Sequence, residues 1–178
     1  MKKCAILSMD SLADFEAYDD LIDQPMLALG WQTELVSWRN SAVNWSDYEV
    51  VIIRSPWDYQ DDMEGFVKVL TNIEQSSARL ENSLAVVQWN INKIYLTYLE
   101  ADDVTIVPTL WPDAFNADNL AGYFTHFATE QIVLKPRVSA NADNTFWLTQ
   151  DNYQSKISEL SQSRIDGTAL YGRHMPRR

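Results

Sequence analysis

The sequence predicts an α/β protein in two parts, and three observations carry that reading. Short apolar runs alternate with segments of helical period over residues 1–80. One of these runs, Val50-Val51-Ile52-Ile53, is unbroken and β-branched, as in a strand covered on both faces. Beyond Asn82–Leu84 the pattern changes: helical segments and a strand with a turn precede two strands around a polar turn.

The elements follow in order. "KKCAILSMD" (2–10) reads as a short buried strand. Residues 13–29 carry Phe15, Tyr18, Leu21, Ile22, Met26 and Leu29 at helical spacing, with Gly30 as the stop. "WQTELVSW" (31–38) alternates like a strand, and "YEVVIIRS" (48–55) is the strand with the unbroken run. Residues 62–75 place Phe66, Val69, Leu70 and Ile73 on one helical face. The first part is therefore expected to be a small, mostly parallel sheet with helices against it. In the second part, 84–100 and 118–128 read as helices and 104–111 as a strand and turn. "QIVLKPRV" and "TFWLT" read as two strands flanking the turn Ser139 to Asn144, and 151–163 as a last helix. The end of the chain, 164–178, holds Arg164, Arg173, Arg177 and Arg178 and shows no period, so an irregular basic tail is expected. The expected units are 1–83, 84–163 and this tail.

Composition bounds the function. A hydrophobic fraction of 46% over 178 residues allows a packed core. A net charge of −11 disfavours binding to a phosphate backbone, so no nucleic-acid partner is expected. Cys4 is the single cysteine, which excludes an internal disulfide framework and a multi-cysteine metal site. No apolar run has the length of a membrane span and no signal-like core develops before Asp10, so no membrane association and a cytoplasmic setting are expected.

Two lysines and one arginine carry the chemistry. Lys135 ends the apolar run of "IVLKP", directly before a proline, where it either snorkels to water or meets an anion. Lys93, in "WNINKIYL", is by itself an ordinary solvated lysine. Arg54 closes the Val50–Ile53 strand and opens "RSPWDY", so it sits where open α/β sheets collect ligands. Arg54, Ser55, Trp57 and Asp58 together suit a carboxylate. The plainer alternative is a structural Arg–Asp pair that pins the loop. The turn "SANADN" is either a loop over phosphates or a plain hairpin turn. The chain has neither GxxxxGK nor GxGxxG, and no serine or cysteine triad is supported.

Taken in order, "VVIIRSPWDY", "RLENSLAVVQWNINKIYLTYL", "VTIVPT" and "IVLKPRVSANADNTFWL" resemble the ATP-grasp superfamily over residues 3–160. The similarity is to its glutathione-synthetase-like branch, which includes the ligase of cycloserine biosynthesis. "RSPWDY" and "WNxxKxYL" are the specific segments; "KP" alone is weak. The resemblance implies a Rossmann-like pre-ATP-grasp domain followed by a partial ATP-grasp α+β subdomain. It makes Lys93 and Lys135 the nucleotide-phosphate lysines and the 139–145 turn, with Ser139, Ala140, Asn141 and Thr145, the loop over the triphosphate. Arg54, Ser55, Trp57 and Asp58 fall on the substrate side. The implied reaction is ligation through an acyl phosphate, with ATP and Mg²⁺ as cofactors and a small carboxylate or amino acid as substrate.

Members of the superfamily continue beyond the region matched here, and their later part supplies the acyl-phosphate contact and the Mg²⁺ ligands. The expectation is therefore a shortened or frame-shifted ligase that binds ATP weakly or not at all and does not turn over. The alternative is a stand-alone α/β binding protein derived from the same fold, without catalysis. Self-association through a half-built cleft stays open.

Overall fold

The computed structural model describes residues 1–112, 116–162 and 168–172. The chain folds as two compact units, Met1–Trp89 and Asn90–Arg178.

In the first unit, β1 (Lys2–Ser8) runs between β2 (Trp31–Ser37) and β3 (Val50–Ser55), and β4 (Arg79–Glu81) adds beyond β3. All the pairings are parallel. Cys4, Ala5, Ile6 and Leu7 are buried because helices and connections cover both faces of β1, as the continuous apolar run requires. On one face Cys4, Ile6 and Val50 form a core with Ile22, Met26, Trp31 and Ile52. Helix α2 (Met63–Gln75) turns Phe66, Leu70 and Ile73 inward, and Asp62 caps it by accepting the Gly65 N–H at 2.9 Å. The expected parallel sheet is present, and Arg54 stands at the carboxyl end of β3 as the sequence indicates.

The helix expected over 13–29 is shorter. A 3₁₀ turn spans Asp19–Ile22 and helix α1 only Asp23–Ala28. Pro25 explains this: it lacks an N–H and fits only the first turn of a helix, so no helix can extend back through it to residue 13. Gly30 follows with φ 83°, a left-handed conformation that glycine adopts without cost. The short strand β4 has no strand pattern in the sequence and is an addition to the expected elements.

The second unit is built on an antiparallel sheet. β6 (Gln131–Pro136) lies between β7 (Phe146–Thr149) and β8 (Thr168–Gly172), and β5 (Thr109–Leu110) pairs with the far side of β8. Helices α5 (Leu120–Phe127) and α6 (Tyr153–Gln162) contribute Leu120, Phe124 and Leu160 to a core with Ile132, Leu134 and Leu148. Three expectations are corrected here. The helix read over 84–100 is two helices, α3 (Leu84–Asn90) and α4 (Tyr95–Ala101), with a turn between them. The strand read over 104–111 is reduced to Thr109–Leu110, directly after Pro108, which cannot donate a ladder hydrogen bond. The tail is not irregular throughout: Thr168–Gly172 is a strand inside the sheet. Its flanks, 163–167 and 173–178, with Arg164, Arg173, Arg177 and Arg178, lie outside the described residues.

Candidate functional site

Lys135 is the penultimate residue of β6. Strand alternation buries Ile132 and Leu134 and places Val133 and Lys135, each half-buried, on the opposite face. The β6–β7 ladder ends at the Leu134–Phe146 pair, so Lys135 lies where the two strands part into the 137–145 connection.

Lys93 is on the turn between α3 and α4. The turn exists because the Asn92 side-chain oxygen accepts the Ile94 N–H at 3.0 Å, a local bond that competes with helix. The Lys93 N–H donates to the Arg137 carbonyl at 2.9 Å. Its ammonium donates to Ser139 Oγ at 2.7 Å, the Ser139 carbonyl at 3.1 Å and the Arg137 carbonyl at 3.3 Å. The lysine turn is thereby tied to the segment just past Lys135. Burial first, and the charge of Lys135 second, pull the Lys93 pKa down to about 8. Burial also lowers that of Lys135. Two half-buried ammonium groups close enough to repel one another favour an anion beside them. The residues present therefore fit the phosphates of a nucleotide.

The 139–145 turn reaches its shape without glycine. Asn141 and Ala142 have φ of 51° and 60°, and the Asp143 N–H donates to the Ala140 carbonyl at 2.8 Å. This is a turn with two left-handed central residues. Asn144, at φ 50°, continues it, and the Thr145 N–H donates to the Ala142 carbonyl at 3.1 Å. Of the loop residues named from sequence, Ser139 meets Lys93, and Ala140, Asn141 and Thr145 form the turn. Arg137 is a residue that sequence reasoning misses. Its guanidinium donates to the Trp111 and Pro112 carbonyls, each at 2.9 Å, and so anchors the start of the loop.

In the first unit the polar cluster differs from the expected one. Arg54 forms an ion pair with Asp19 at 3.1 Å; the arginine side chain is 46% exposed and the aspartate 6%. Ser55 is fully buried, and its hydroxyl meets both the Asp19 carboxylate and, at 3.1 Å, Ser8 Oγ. Ser8 and Ser55 end the neighbouring strands β1 and β3. β1 leads to β2 on one side, and the chain then returns to β3 on the other, so this is the point where an open sheet reverses its order. Asp58 does not pair with Arg54. Its carboxylate accepts from Trp38 Nε1 at 2.7 Å and Arg39 Nε at 2.8 Å. Trp57 packs on Phe15 with ring centroids 5.3 Å apart. Asp19 and Ser8 do not stand out in the sequence, because one aspartate in the acidic run "DFEAYDD" carries no local signal.

Among the described residues there is no group of three or more His, Cys, Asp or Glu side chains that could hold a metal ion. No described helix is long and apolar enough to cross a membrane.

Residues 4–82 match the family model described as the N-terminal domain of the D-cycloserine synthetase DcsG. The similarity to DcsG continues past the domain. The cycloserine biosynthesis protein DcsG of Streptomyces lavendulae is 26% identical over 151 residues, covering 83% of this chain and 48% of that protein. The crystal structure of D-cycloserine synthetase DcsG superposes with a TM-score of 0.82 at 18% identity, over 96% of this chain and 59% of that one. A RimK-domain ATP-grasp protein from Sphaerobacter thermophilus gives 0.74 at 13% identity, over 98% and 65%. D-alanyl-alanine synthetase A from Vibrio cholerae gives 0.73 at 13% identity, over 99% and 60%. The fold is therefore that of ATP-grasp ligases. The chain spans about half the length of the curated DcsG relative.

Proposed function

We propose that this chain is the N-terminal part of an ATP-dependent carboxylate–amine ligase that works through an acyl phosphate. The observation that supports it most is the pairing of Lys93 and Lys135, two partly desolvated cations around one strand end. Lysine is a competent point-charge partner for phosphate. In this reading Lys93, Lys135 and the Ser139–Thr145 turn hold the triphosphate, and Arg54 serves a small carboxylate or amino acid substrate. Ser55 and Asp58 support that role indirectly: Ser55 fixes Asp19 against Arg54, and Asp58 fixes Arg39. When bound, ATP supplies the phosphoryl group that activates the carboxylate; the residues here position it and offset its charge.

The chain by itself is proposed to lack turnover, because phosphoryl transfer depends on Mg²⁺ for charge neutralisation and no cluster of three or more His, Cys, Asp or Glu side chains that could hold a metal ion stands among the described residues. Calorimetric titration with ATP–Mg²⁺ and an ADP-release assay over a panel of amino acids test both halves. The expected result is weak binding, on the order of millimolar, lost in Lys135→Ala, with no substrate-dependent ADP release. Binding unaffected by Lys135→Ala would remove the nucleotide assignment. Turnover by the pure protein would remove the proposed inactivity.

A further inference from the structure

Parallel strands need a crossover of a dozen or more residues, and a helix usually supplies it. The crossover from β2 to β3, residues 38–49, holds only the 3₁₀ turn Trp45–Asp47. It leaves a groove of about 650 Å³ between itself and one stripe of α2. That volume is in the range of small-molecule sites.

The two walls differ in character. The α2 wall presents Lys68, Val69 and Asn72, neighbours along one helical face. The crossover wall presents Val43, Asn44 and Trp45. Lys68 forms no ion pair or hydrogen bond with any other described residue. The other cation of the groove, Arg39, is already engaged: it stacks 4.1 Å over the Trp38 ring and donates to Asp58. Asp62 closes one end with an oxygen committed to its helix cap. One uncommitted positive charge therefore stands among neutral amides, beside an indole ring and two valines. A dianionic phosphate would need more than one available cation, and the Asp62 charge opposes it. A monoanion with an apolar body matches both the charge and the walls.

We propose that this groove binds a small amphipathic carboxylate: one carboxylate against Lys68 and Asn72, and a flat or branched apolar body against Trp45, Val43 and Val69. The site lies wholly in the first unit and is separate from the residues proposed for nucleotide; it borders the Arg54 surroundings through Arg39, which Asp58 holds.

The probe is 3-phenylpropionate, with the uncharged 3-phenylpropanamide as its control, titrated into the ¹⁵N-labelled full chain. The expected result is saturable shifts of the Trp45 indole and the Asn44 and Asn72 side-chain amides. Lys68→Ala, an exposed substitution that leaves the fold intact, should weaken binding of the acid about three- to fivefold, as loss of one exposed charge contact does. It should leave the amide's weaker binding unchanged. The proposal is overturned by an absence of saturable shifts at these three groups. It is equally overturned by equal affinity for acid and amide, or by a Lys68→Ala protein that binds the acid as well as the parent does.

Discussion

Asp19 shows how much a single buried carboxylate can fix. It joins Arg54 by charge and Ser55 by a hydrogen bond, and Ser55 in turn reaches Ser8 on the next strand. Asp19→Ala removes the counter-charge of Arg54 and leaves the buried Ser55 hydroxyl short of a partner. Loss of a hydrogen bond to a charged group costs about 1.5–3 kcal/mol. Urea unfolding of Asp19→Ala is expected to show a loss of that order, whereas Asp61→Ala, an exposed change in the 3₁₀ turn Tyr59–Asp61, should fall within about 0.5 kcal/mol of the parent. Arg54 itself is legible in the sequence, because an arginine that closes an apolar strand is conspicuous. Its partner is not, since a contact between residues 19 and 54 depends on tertiary packing that no local pattern encodes.

The same division holds for elements. β1, β3, α2 and β6 stand close to where periodicity and apolar runs indicate, since each has a strong local pattern of its own. The corrected helices and strand all involve a residue that breaks a pattern from within: Pro25 in α1, Asn92 between α3 and α4, and Pro108 before β5. Lys93 is positioned by one of these breaks, so the feature that spoils the helix reading is also what brings the lysine to the strand end. Helix α5 ends at Ala128, which adopts φ 48° and ψ 47°, a left-handed conformation that favours glycine. Ala128→Gly is accordingly expected to stabilise the second unit by about 1 kcal/mol, read as a rise in the urea midpoint with an unchanged slope. Strand β8 is invisible to sequence reading because its five residues lack alternation, and its place is set by ladder bonds on both edges. A chain ending at residue 163 leaves β6 with an open edge and β5 with no partner. It should lose cooperative unfolding of the second unit while the first keeps its own transition, a contrast that circular dichroism and amide exchange can resolve.

Over the molecule as a whole, a chain of net charge −11 nevertheless gathers two lysines at one strand end. The arrangement carries a cost in the absence of an anion, and its pH dependence has a definite sign. The folded pKa of Lys93 is about 8, below its ordinary 10.5, so between these values the unfolded chain binds more protons than the folded one. The contribution of this lysine to stability therefore rises as pH increases from about 8 toward 10.5, and below about 8 its penalty is present in full. An anion bound between the two ammonium groups acts oppositely: it favours the charged form and raises the pKa. Titration of the Lys93 ¹³Cε resonance with pH, with and without saturating ATP, reads this directly. A phosphate site built on the two lysines requires a midpoint near 8 in the free protein, and an upward shift with ATP that Lys135→Ala diminishes. A midpoint at the ordinary lysine value, or one that ATP leaves unmoved, would rule that site out.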